Sequence, residues 1–164
     1  MCHGQKIGHI PYIDSKSSIM TEQNSKLPTS FWVIGIVALI WNLMGVLAFV
    51  GQLLMDEEAL SALPEDQRAL VEATPSWLVV IFGIATIGGL LGCILLLMRK
   101  SLAVNVFLVS LVAVVIQMGY SWFMTDTAAV YGTVQGVVMP LLVIIIGAYL
   151  YYYSKQNVEQ GILT

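Results

Sequence analysis

Four stretches of this chain, residues 31–54, 77–98, 102–124 and 137–153, are apolar and hold no Asp, Glu, Lys, Arg or His. At a helical rise of about 1.5 Å per residue, each is near or above the length that crosses a hydrocarbon core of about 30 Å. Inside a bilayer every backbone N–H and C=O must find its partner within the protein, which leaves helices or a closed barrel. A barrel would alternate apolar and polar positions, and these stretches do not. The expected fold class is therefore all-α: an antiparallel bundle of four transmembrane helices. Composition agrees, because 58% of the 164 residues are hydrophobic and only 10% are charged, too few to cover a soluble domain. The lipid bilayer is the first expected partner. With a net charge of −3 and no basic run, nucleic acid is not expected as one.

Residues 1–30 read as a polar, flexible cytoplasmic tail carrying Lys6, Lys16 and Lys26, with no apolar run that could form a signal-peptide core. Met20 is a plausible alternative start, so residues 1–19 are the least secure part of the natural protein. Residues 31–153 form a single membrane domain, and 154–164 a second cytoplasmic tail. Pro28 with Thr29 and Ser30, and Thr74 with Pro75, suit the starts of the first two spans. Arg99, Lys100 and Ser101 alone separate the second span from the third, which predicts a tight antiparallel hairpin.

The outer loop, residues 55–76, carries Leu60, Leu63 and Leu70 on one helical face with acids elsewhere. Two short helices are expected there, the second opened by Pro64 and by Glu65 and Asp66 at its positive end. Most basic residues fall on the side of the termini and of Arg99 and Lys100, whereas Asp56, Glu57, Glu58, Glu65, Asp66, Glu72 and Asp126 fall on the other. That bias places both termini in the cytoplasm. Trp32 and Tyr151 to Tyr153 would anchor the inner interface, Trp77 and Trp122 the outer one.

Helices associate in lipid through small residues and interhelical hydrogen bonds, so these locate the inward faces. In the first span Gly35, Ala38, Asn42, Gly45, Phe49 and Gln52 form one narrow stripe, and Ile36, Ile40, Leu43, Leu47, Val50 and Leu54 form an aliphatic face suited to lipid. Gly88 and Gly92 make a G-x-x-x-G in the second span; with Gly35 and Gly45 they are the expected helix-packing positions. Ser110, Ala113, Gln117, Tyr120 and Ser121 supply the stripe of the third span. Pro140, near the outer end of the fourth, frees a backbone carbonyl one turn earlier. Asn42, Gln52, Gln117 and Tyr120 are the candidate ligand-binding residues, a neutral polar seam able to offer donors and acceptors to an uncharged polyhydroxy or amide solute. Interhelical hydrogen bonding is the competing reading of the same seam.

Proton coupling needs a carboxylate or histidine within the membrane, and no span has one. There is no Cys-x-x-Cys, no H-E-x-x-H and no nucleophile with a base, so no enzyme activity, catalytic residue or cofactor is expected. Cys2, His3 and His9 are too sparse for a zinc site, and no metal is expected.

WNLMGV at 41–46, LPEDQRALVEATPSW at 63–77, GGLLGCILLLMRK at 88–100 and QMGYSWF at 117–123 resemble a group of small bacterial four-span inner-membrane proteins. The resemblance runs from about Met20 to the C-terminus, and some relatives bear the label "sugar transporter". It implies a multi-pass protein of the bacterial cytoplasmic membrane, and no functional residues carry over. Two functions are expected to compete. One is a small transporter of a neutral, sugar-type solute, acting as a homo-oligomer because four short helices enclose little volume. The other is a non-catalytic accessory or assembly subunit of a larger membrane partner.

Overall fold

The computed structural model describes residues 27–164; Cys2, His3, His9, Lys6, Lys16, Lys26 and Met20 lie outside them. Among the described residues the chain is helical, in the order α1 (Thr29–Leu53), α2 (Glu57–Ser61), α3 (Glu65–Ala73), α4 (Ser76–Leu97), α5 (Leu102–Met124), α6 (Thr127–Thr133), a π-helical turn (Val134–Val138) and α7 (Met139–Glu159). Four helical stretches, α1, α4, α5 and the kinked run Thr127–Glu159, are long and apolar enough to cross a membrane. On α1 the aliphatic face stands open, with Ile36 48%, Ile40 56% and Leu47 63% exposed. Only hydrocarbon makes so continuous an apolar surface favourable. The chain is a multi-pass membrane protein.

The principal packing runs from α1 to α4, from α4 to α5 and from α5 to α7. The α4–α5 hairpin follows from the glycine face of α4. A Cβ on Gly92 would stand 2.7 Å from the Phe107 ring and one on Gly88 3.2 Å from Ser110 Cβ, so the two backbones approach as only glycine allows. Gly35 brings α1 onto Leu97 in the same way.

Two short helices do form in the outer loop. Asp56 caps α2, its Oδ1 accepting from the Ala59 amide at 2.8 Å, and Glu57, Glu58, Glu65 and Asp66 fill the two first turns. Arg68 donates to Glu72 at 2.8 Å, which holds the guanidinium above its ordinary pKa through that bond and the opposite charge. Both side chains are exposed, so the pair adds little to stability.

The fourth span departs from the limits 137–153. Its helix α7 runs on to Glu159, and it enters through the π turn after a break at Gly132, whose φ of 77° and ψ of 168° suit glycine. There α6 packs back on the π turn, close enough that a Cβ on Gly136 would stand 2.6 Å from Ala128 Cα.

Residues 154–164, expected as a tail, are instead largely part of the fold. Gly161 ends α7 with φ 71°, the Gly161 and Ile162 amides returning to Val158 and Asn157. Arg99 ends α4 with φ 60°, the Arg99 and Lys100 amides returning to Leu96 and Leu95. The two helix ends are then tied together. Thr164 donates its amide to the Arg99 carbonyl at 2.8 Å, Ser101 donates to the Thr164 carbonyl at 3.0 Å, and Arg99 Nε donates to the Ile162 carbonyl at 2.9 Å. Leu163 drops into the core beside Phe31, Leu96, Phe107 and Leu150. This core lies at the end of the bundle that carries Arg99 and Lys100, and it closes that end.

Candidate functional site

Two cavities lie one above the other along α5. The inner, of about 290 Å³, is lined by α1, α4, α5 and α7, with Trp41, Asn42 and Gly45 on one wall and Ser110, Gln117 and Gly147 among the others. The outer, of about 250 Å³, sits under the loop helix α3 at the acidic end. Its polar groups are Gln52, Thr74, Tyr120, Ser121, Thr125, Thr127 and Tyr131.

The expected seam is thereby divided. Asn42 and Gln117 face the inner cavity, Gln52 and Tyr120 the outer one. Gln117 and Tyr120 are separated by a rise of only about 4.5 Å, so α5 passes directly from one cavity to the other. On α1, Phe49 lies between Gly45 of the inner and Gln52 of the outer cavity, and its ring meets that of Phe82 edge to face at 5.4 Å. This aromatic pair marks the level between the two.

Polar side chains of the inner cavity are mostly occupied by the protein. Asn42 Nδ2 donates to the Ala38 carbonyl at 2.8 Å and to Cys93 Sγ at 3.4 Å, and its Oδ1 occupies the place a Cβ on Gly89 would need. Ser110 donates to the Ala85 carbonyl at 2.6 Å, binding α5 to α4, and Thr86 donates to the Phe82 carbonyl at 2.9 Å. Gln117 makes no such bond among the described residues. The inner cavity is consequently a mostly apolar chamber, lined by two residues, Gln117 and Trp41, whose side-chain polar groups make no bond among the described residues.

In the outer cavity Thr125 donates to the Ser121 carbonyl at 2.6 Å or shares its proton with Thr127 at 2.6 Å, and Tyr120 stands edge to face with Trp77 at 5.4 Å. No charged side chain lines it. Its hydroxyls and carboxamide can exchange hydrogen bonds with a neutral solute, each group serving as donor or acceptor.

Of the glycines singled out for packing, Gly35, Gly88 and Gly92 lie in close contacts, whereas Gly45 has ordinary room, 3.6 Å from Thr86 Cγ2, and opens onto the inner cavity. Gly89 and Cys93, small residues on the same face of α4, both lie opposite Asn42, a pairing that helix register alone does not supply. Trp41, near the middle of the first span and so away from both interface belts, lines the inner cavity. Comparisons with family models, with curated proteins and with solved structures give no match.

Proposed function

We propose that this chain is a small transporter-like membrane protein that moves an uncharged polar solute through the two stacked cavities. The observation that carries the reading is the register of α5, which sets Tyr120 in the outer cavity and Gln117 in the inner one within a single turn. A solute leaving the outer hydroxyl-rich pocket meets the Gln117 carboxamide next. The inner volume lies near the low end of the roughly 300–1,000 Å³ of small-molecule pockets, which favours a solute of sugar size or smaller. The absence of charge on the outer wall favours a neutral one.

In this reading the chain lies in a bacterial cytoplasmic membrane with both termini in the cytoplasm. Support comes from Arg99, Lys100 and Lys155 at one end of the bundle and the acids of α2 and α3 at the other. It acts without catalysis, as a homo-oligomer.

Flux of a series of neutral polyols and sugars into proteoliposomes tests the proposal. Uptake above that of empty vesicles, reduced by Gln117→Leu and by Tyr120→Phe, is the expected result. No flux for any solute, combined with recovery of one stoichiometric membrane partner after crosslinking, would replace it with an accessory-subunit role.

A further inference from the structure

The bundle is not closed all the way round. Among the described residues the main interfaces leave α1 and α7 without a comparable contact, although Phe31 and Tyr153 bring their ends together with ring centroids 6.5 Å apart. Above that pair a groove of about 320 Å³ runs between the two helices, walled by Val33, Val37, Trp41, Ile146, Tyr149 and Leu150 without a polar atom on its surface. Trp41, Ile146 and Leu150 also line the inner cavity. The groove and the cavity therefore share a wall, and the groove faces the bilayer.

We infer that the α1–α7 groove is a lateral portal through which one alkyl chain of a membrane lipid enters the inner cavity. Three observations converge on that occupant. The groove lies within two membrane-spanning helices, where the surrounding medium is hydrocarbon. Its wall offers no hydrogen bond, so a polar solute would lose its hydration there without replacement, whereas an alkyl chain loses nothing. The inner cavity beyond it is mostly apolar: Asn42, Ser110 and Thr86 spend their donors on Cys93, Ala38, Ala85 and Phe82, which leaves the Gln117 carboxamide towards its outer end. A mostly apolar chamber at this depth, set behind an apolar slot across Trp41, Ile146 and Leu150, suits an alkyl chain better than water. The inference uses the inner cavity but not the passage of a solute; a chain seated there has to leave before a solute passes, so occupancy and flux are read separately.

The full chain is reconstituted in phosphatidylcholine vesicles doped with a phosphatidylcholine bearing a diazirine near the end of one acyl chain. After photolysis the labelled residues are mapped by mass spectrometry. Phe107 and Ser110, 3% and 7% exposed, face the inner cavity, so label there reports a chain inside the bundle. Leu43 and Leu47, on the lipid face, calibrate the bulk reaction. Label is expected at Phe107 and Ser110 in the unaltered chain. It should fall about tenfold, a loss of about 1.4 kcal/mol in occupancy, in Val37→Trp, which narrows the portal, and in Gly45→Leu, which fills the cavity. Label at Leu43 and Leu47 should not change. Val37 is 61% exposed, so its replacement reads out the portal even where the cavity variant does not fold. Absence of label at Phe107 and Ser110 alongside normal label at Leu43 and Leu47 overturns the inference, as does inner label that Val37→Trp leaves undiminished. Polyol flux measured on the same vesicles separates the two ideas: label without flux sustains the portal and removes the passage, and flux without inner label does the reverse.

Discussion

Trp122 donates its indole N–H to the carbonyl of Gly136 at 2.9 Å. Gly136 lies four residues before Pro140, which has no N–H and cannot supply the bond an α-helix would make to that oxygen. A side chain from α5 thus serves a backbone group of the fourth span at the point where the proline and the π turn disturb it. The same indole fixes the approach of the two helices.

Replacing Trp122 with Phe keeps the ring but leaves that carbonyl without its donor. A loss of about 1 kcal/mol in unfolding free energy is expected, typical of one interhelical bond. In Pro140→Ala the backbone regains an N–H, so the cost of Trp122→Phe should shrink there. A double-mutant cycle by thermal unfolding in detergent measures the coupling; strict additivity would show that Trp122 does not serve this oxygen.

Gly92→Ala places a methyl group against the Phe107 ring, which would have to leave its packed position and shift towards the inner cavity. Destabilisation of about 1–3 kcal/mol is expected. Gly51 has no atom within 4 Å of its would-be Cβ, so Gly51→Ala should be neutral or slightly stabilising. Melting temperatures of the two variants that do not differ would contradict the close α4–α5 contact.

Asn42 and Gln117 share a cavity but not a task. Asn42→Leu removes the bonds to Ala38 and Cys93, and should lower stability by about 0.6–1.7 kcal/mol. Gln117→Leu removes no bond within the protein and should leave stability unchanged while reducing solute uptake. Unfolding and flux measured on both variants check the division, and the opposite pattern would reverse the roles.

Leu163 is 3% exposed in the core at the basic end. Leu163→Ala should cost about 2–5 kcal/mol, as for other large-to-small changes in a packed site. Hydrogen exchange of the Ser101 and Thr164 amides should rise in parallel, since their bonds hold the same segment. Unchanged protection would mean that the segment docks without its leucine.

The division between what was legible and what was not follows particular residues. Ile36, Ile40, Leu43 and Leu47 announced a lipid face by their spacing, and Gly88 and Gly92 announced a close helix contact; both statements concern one helix and its own periodicity. The seam of Asn42, Gln52, Gln117 and Tyr120 was readable as four inward side chains, but its division into two cavities was not, because Phe49 and Phe82 meet across different helices. Leu163 offered no periodic signal at all. A few residues after a helix look like a tail until a neighbouring turn supplies the donors and acceptors that hold them.

The sequence by itself determined that this chain is helical, crosses a bilayer and turns one stripe of each helix inward, because the cost of burying charge or unpaired backbone in hydrocarbon acts on each segment alone. Only the tertiary structure decided which inward groups satisfy one another and which face open space. Asn42 finds Cys93 fifty-one residues away and Trp122 finds Gly136 across a kink. Such pairings depend on the relative rotation and height of packed helices, quantities to which the period of any single helix is blind.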